Sequence, residues 1–273
     1  MTMTGGRLLA SVSCLIAVSA AQVGCGSFSL QRLALDDAEE VRGVAPCTDA
    51  PDHGGIVVRG DAFKLAPAGG GRVGGAVVRS LEHPDRCAVT GEDGAFSLDG
   101  FVAREPVTLT IEQPGLAPVQ TGTLAVPVPA TGFSRLTFQA PRWEIYYLLA
   151  LAALVWPSSN RCQIATTVTQ VGVSMYDAAP SHGEAGATVT IEPEPAGAVG
   201  PIYFRYLGAG AIVPDRRLHE TTRDGGVLYL NAPPGEYTLT AHKDGVRFTE
   251  VRVRCRVGWL VNASPPWGLQ ALP

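Results

Sequence analysis

Thr90-Gly91-Glu92-Asp93-Gly94-Ala95-Phe96-Ser97-Leu98 returns in the second half of the chain as Thr222-Arg223-Asp224-Gly225-Gly226-Val227-Leu228-Tyr229-Leu230. Each copy opens on a polar corner with glycine, which supplies positive φ at no steric cost. Alternating apolar residues follow, the period of a strand with one buried face. Downstream, Val107-Thr108-Leu109-Thr110-Ile111 closing at Pro114-Gly115 is echoed by Tyr237-Thr238-Leu239-Thr240-Ala241 closing at Asp244-Gly245. Turn glycine to turn glycine is 21 residues in the first copy and 20 in the second. Upstream, Gly75-Ala76-Val77-Val78 matches Gly186-Ala187-Thr188-Val189, but the distance to the turn glycine grows from 19 to 39 residues. The extra residues form an insertion spanning 192–217, expected to be an elaborated loop, and loops are where such folds carry recognition surfaces.

Further short runs, Ile56-Val57-Val58 and Ser134-Arg135-Leu136-Thr137-Phe138, complete an all-β pattern of short strands and regular turns, which points to sandwiches. The 273 residues have room for two such domains. A 46% hydrophobic and 17% charged composition excludes a disordered chain. With formal charge -4 and two lysines, Lys64 and Lys243, the chain lacks the basic footprint that binding nucleic acid requires.

Residues 1–24 carry one cation, Arg7, then an apolar stretch diluted by small residues, the order of a secretory signal peptide. Two cleavage sites compete. Val18-Ser19-Ala20 suits an ordinary signal peptidase, whereas Gln22-Val23-Gly24-Cys25 is similar to a bacterial lipobox with Gln22 where Leu is usual. Of six cysteines, Cys14 leaves with the signal; lipidation of Cys25 leaves four, Cys47, Cys87, Cys162 and Cys255. An even set suits an oxidising compartment, so the lipoprotein reading is preferred and free secretion is its alternative. Each half holds one pair, and bonding within halves, Cys47 to Cys87 and Cys162 to Cys255, is expected. Residues 25–54 read as a tether. Its acidic run, Asp36-Asp37-Ala38-Glu39-Glu40, has no glycine-punctuated ligand loop and reads as a solvated segment.

A small-residue-led strand, Thr-x-x-Asp-Gly-x-Phe-x-Leu and a Thr-x-Thr strand closing on Gly together resemble the carboxypeptidase regulatory-like domain of the transthyretin (prealbumin) group. The resemblance covers about residues 72–140 and, more loosely, 164–262. It implies two Greek-key sandwiches, at 55–141 and 161–273, in an accessory role without catalysis. One branch of the group hydrolyses 5-hydroxyisourate with a C-terminal Tyr-Arg-Gly-Ser; this chain ends Gly268-Leu269-Gln270-Ala271-Leu272-Pro273, and that activity is not carried over.

Between the copies, residues 142–160 contain an apolar run, 145–156, about 18 Å long as a helix and too short to span a bilayer core of about 30 Å. Leu and Ala favour helix and Pro157 ends it. An interfacial-membrane reading wants a charged opposite face, which is missing, so a helix buried between the domains and joining them is expected.

No chemistry-bearing motif emerges. The five histidines are scattered, no Cys-x-x-Cys or Gly-x-Ser-x-Gly occurs, and neither a metal, a cofactor nor a catalytic residue is expected. Gly69-Gly70-Gly71-Arg72-Val73-Gly74 fits Gly-x-Gly-x-x-Gly but leads into a strand pattern, without the helix N-terminus that holds a pyrophosphate. Two places could bind. Tyr203, Phe204, Arg205 and Tyr206 in the insertion could stack on a sugar or a peptide, against the preferred reading of an extra edge strand. In Val251-Arg252-Val253-Arg254-Cys255-Arg256-Val257 the apolar residues share a buried face. Arg252, Arg254 and Arg256 share the other, ready for an anionic polymer or, by preference, for carboxylates on neighbouring strands. The expected role is a cell-envelope structural or interaction module, outer-membrane or periplasmic. Its partners would be envelope proteins or polysaccharide, and the membrane through the lipid.

Overall fold

The repeated corner is built in the same way in both copies. In this computed structural model, which describes residues 44–47, 54–65, 70–127, 133–174, 182–208 and 211–273, Gly94 and Gly225 adopt φ of 78° and 75°. Asp93 Oδ1 accepts from Ala95 N at 3.0 Å and Asp224 Oδ2 from Gly226 N at 3.1 Å. Thr90 Oγ1 accepts from Ala76 N at 2.9 Å and donates to Val73 O at 2.6 Å. Its counterpart is Thr221, whose Oγ1 accepts from Ala187 N at 2.9 Å and donates to Glu184 O at 2.5 Å. The sequence comparison set Thr222 against Thr90. The structure shifts the copies by one residue, because the hydrogen-bonded corner counts from Asp-Gly. Phe96 and Leu98 then face inward where Val227 and Tyr229 do. The signal segment 1–24, Cys25, the acidic run and most of the tether 25–54 lie outside the described residues.

In the first half, Ala95–Phe101, Ile56–Leu65 and Phe133–Pro141 form a three-stranded sheet, antiparallel then parallel. Facing it are Cys87–Val89, Val77–Ser80, Leu109–Glu112 and Val119–Thr121. Val58, Phe101, Leu136 and Phe138 from one layer meet Val78, Leu109, Ile111 and Val119 from the other in an apolar core. In the second half Thr188–Glu192, Gly235–His242 and Val251–Cys255 form one layer. Val199–Gly208, Gly226–Ala232 and Cys162–Thr169 form the other. Val189, Leu239 and Val253 close on Ile164, Val227 and Tyr229. Cys47 is bonded to Cys87 and Cys162 to Cys255, with Cα atoms 5.8 and 5.7 Å apart.

The copies differ where the insertion lies. Cys87–Val89 pairs with Val77–Ser80, the strand before it. Val199–Gly208 instead crosses to Gly226–Ala232 and folds back as Ala211–Asp215. The expected loop at 192–217 is therefore largely a β-hairpin that widens the sheet, because its aromatic and β-branched residues find a sheet edge to pair with.

The halves are joined by backbone. Leu260–Asn262 pairs in parallel with Gln163, Ile164 and Ala165 on one side and with Val119–Thr121 on the other, so one sheet runs through both halves. Thr123 N donates to Arg252 O at 2.8 Å nearby. At the seam Gln120 is fully buried; its Nε2 donates to Arg254 O at 2.6 Å and its Oε1 accepts from Arg256 Nε at 2.8 Å. Gln120→Leu is expected to lower stability by about 2 kcal/mol or more, since a carbonyl and a guanidinium N–H lose a buried partner. An unchanged urea midpoint would show that the seam is held by the strand pairing alone.

The helix α1, Trp143–Ala152, does not make this junction. It lies on the outer face of the second half, where Ala150, Ala153 and Val155 meet Ile202, Leu228 and Leu230. Within it only Tyr146 and Ala150 are buried, so the expectation of a helix covered between two domains is corrected. Covering one face was enough to fold it.

Candidate functional site

The four hairpin residues do not converge. Side chains alternate along a strand, and Tyr203 points into the core, 2% exposed, its Oη accepting from Val189 N at 3.0 Å. Tyr229 Oη donates to Val189 O at 2.9 Å, so two phenols bracket one peptide unit, and burial pushes both hydroxyls above the usual tyrosine range. Tyr203 is thus a core residue and is withdrawn as a ligand-stacking group. Phe204 is half-buried against the cluster beneath α1, and its carbonyl accepts from Thr222 Oγ1 at 2.7 Å. Arg205 Nε lies 3.3 Å from Asp215 Oδ2. Hydrogen bonds from the Arg217 side chain and backbone hold the Asp215 carboxyl down at about 2. Tyr206 is covered by the Arg223 guanidinium, 3.9 Å from its ring centroid. Of the four, the hairpin leaves Arg205 and part of Tyr206 outside, next to the exposed Leu207 and with Ile212 exposed on the returning strand.

The arginine row is also divided. Arg252 is exposed. Arg254 stands opposite Glu236 in the strand register, with Nη2 3.4 Å from Glu236 Oε1. Arg256 lies past the strand end; it is held by Gln120 and stacked 3.6 Å from the Trp259 ring centroid. Val251, Val253 and Cys255 are buried as the alternation requires, but Val257 is 43% exposed, because the strand stops at Cys255 and turns through Gly258 at φ 72°. Arg254 and Arg256 serve different neighbours while Arg252 stands exposed, so the three guanidinium groups do not form one anion-binding row. Among the described residues no group of three or more His, Cys, Asp or Glu side chains could hold a metal ion.

The surface that the sequence reading set aside as buried is α1 and the turn after it. Leu148, Leu151, Leu154 and Trp156 are exposed there. The signal was the apolar run itself, expected to be covered on most sides by the two domains. Trp156 stacks on Tyr147 with centroids 5.7 Å apart, and Trp143 lies 6.1 Å from Tyr147. Tyr146, beneath them, is buried, and burial raises its hydroxyl to about 12.

No protein-family model matches the chain, and no curated protein matches it. Among solved structures it is similar to a type II cohesin–X-dockerin complex from Acetivibrio cellulolyticus, at 22% identity over 30% of this chain and 52% of that one, TM-score 0.24. The Bacillus anthracis TIE protein shows 14% identity over 76% of this chain and 33% of that one, TM-score 0.23. The minor pilin GBS52 of Streptococcus agalactiae shows 11% identity over 80% and 97%, TM-score 0.24. The chain spans about half the length of the first and a third of the second. TM-scores of this size do not establish a shared fold.

Proposed function

We propose that the chain is an exported, non-catalytic module of the cell envelope, structural or protein-interacting, tethered by lipid on Cys25. The observation that carries this reading is the continuous sheet through both halves. Backbone pairing at Leu260–Asn262, the buried Gln120 and two disulfides make a stiff body suited to bearing load or presenting a surface at a fixed spacing. Disulfides persist in oxidising compartments, which supports export. Cys25→Ala is expected to move the protein from the membrane to the soluble fraction, or to block its processing. Cross-linking in intact envelopes is expected to join the parent chain to other envelope proteins. An unchanged membrane fraction with an unchanged mature mass would reject the anchor, and a chain that never cross-links would reject the interaction role. A carbohydrate- or peptide-binding hairpin is the second reading, supported by Leu207, 55% exposed beside Arg205 and Tyr206.

A further inference from the structure

The helix α1 buries one side and leaves the other bare. Leu148 is 58%, Leu151 42%, Leu154 83% and Trp156 60% exposed, although between Glu144 and Arg161 the sequence has no charged residue. Contiguous apolar surface of this kind marks an interaction site in a folded protein. Leu154 adds a second, independent sign. It adopts φ 57° at the position just past the helix, where Val155 N reaches back to Ala150 O at 3.0 Å. Glycine is the residue that position favours, since a Cβ crowds the left-handed backbone. The chain instead keeps a leucine that is both sterically unfavourable and almost wholly in water. Backbone outliers of this kind point to function.

The neighbouring aromatic is held in place. Asn231 Nδ2 donates to Trp156 O at 2.9 Å and Asn231 Oδ1 accepts from Ser158 N at 2.8 Å, so the backbone is fixed while the indole stands outside on Tyr147. The result is a leucine ridge edged by Trp156, Tyr147 and Trp143, aromatic groups with one polar edge each.

We propose that this face docks on a lipid bilayer, with Leu148, Leu151 and Leu154 entering the acyl boundary and Trp156 and Tyr147 at headgroup level. Surface-lying helices need an apolar face and a face turned away from lipid. Here the second face is the protein itself, because Ala150, Ala153 and Val155 are seated on the sheet. That removes the objection that α1 lacks a charged side. No helix among the described residues is long and apolar enough to cross a membrane, and α1 at ten residues lies on it. Two features favour lipid over another protein. Tryptophan and tyrosine collect at membrane interfaces. Arg142 also stands exposed before the stretch, next but one to Glu144, where its guanidinium group suits phosphate, while Arg161 at the other end donates from Nη1 to Ala196 O at 3.0 Å. The inference deepens the anchored reading above, since a lipid on Cys25 would hold the chain at a bilayer and a second, weaker contact adds to such an anchor.

The test uses the mature chain from Gly26, which carries no acyl group, with vesicles of phosphatidylethanolamine and phosphatidylglycerol. The parent is expected to sediment with the vesicles and to shift its tryptophan emission to the blue. Leu148→Ser with Leu151→Ser should lower partitioning about tenfold, as two leucines leave the acyl boundary. Leu154→Gly should lower it several-fold while leaving the unfolding temperature unchanged or higher, because glycine relieves the left-handed backbone. A structural leucine would do the opposite. The proposal is overturned if the parent ignores the vesicles, if the variants bind equally, or if the parent is a dimer that the variants dissociate, which would make a second copy the occupant. Acylation of Cys25 in cells is read separately by mass, so either reading can fail without the other.

Discussion

Gly225→Ala is expected to lower the thermal unfolding temperature by roughly 10 °C, the shift that about 3 to 4 kcal/mol produces in a domain of this size. Two costs combine. At φ 75° a side chain meets the left-handed penalty, about 1 to 2 kcal/mol. A Cβ there would also overlap Val168 O and stand 2.8 Å from Gly183 Cα, both main chain. Val168 N donates to Gly225 O at 2.9 Å, so relief of the overlap must part a hydrogen-bonded strand end, costing about 1 to 3 kcal/mol more. Gly94→Ala should behave alike, since its Cβ would overlap Ala62 O at φ 78°. Gly115 and Gly245 are the controls. Their φ values are 82° and 73°, but nothing lies within 4 Å of an added Cβ, so alanine there should cost only the left-handed part, a few degrees. Equal shifts at all four glycines, by calorimetry, would show that the close approach in the Asp-Gly corners carries no weight.

Loss of the Cys162–Cys255 bond, by Cys162→Ala with Cys255→Ala, is expected to cost about 4 to 5 kcal/mol in the chain-entropy account, given a sequence separation of 93. The bond ties Cys162–Thr169 in one layer to Val251–Cys255 in the other, with both cysteines buried in the core. The Cys47–Cys87 bond closes a shorter loop, separation 40, and its loss should cost somewhat less, about 4 kcal/mol. It clamps 44–47 beside the edge strand Cys87–Val89, where Arg79 Nη2 also donates to Ala45 O at 3.0 Å and to Pro46 O at 3.2 Å. Guanidinium unfolding of the two double variants checks the order. A larger loss at Cys47 and Cys87 would mean that strain or unfolded-state structure outweighs loop length.

Strand periods and corners were legible because they are properties of residues close in the chain. Phe96 and Leu98 alternate inward, Asp93-Gly94 turns, and Val251, Val253 and Cys255 face the core as their pattern requires. That an arginine of this strand would meet a carboxylate was expected from composition, a basic strand in an acidic chain, but that Arg254 meets Glu236 came from the strand register. Tyr203 misled as a candidate ligand group because a phenol is equally at home on a surface and in a core that offers it a peptide N–H. Its hydroxyl found Val189.

What remained hidden concerns edges and faces. Leu260–Asn262 joins the two halves through N–H and C=O groups that every residue carries, so no side-chain pattern marks it as the seam. Gln120 is a polar residue like any other until Arg254 O and Arg256 Nε close around it. Hydropathy says that residues 145–156 avoid water but not which of them find cover, and Ala150 is covered where Leu148 and Leu154 are not. Turns, periods and an apolar run are local quantities, written in the order of the residues. Which sheet edge receives the hairpin Val199–Gly208, and which side of α1 stays bare, are settled only when distant strands compete for the same backbone partners and the same buried surface.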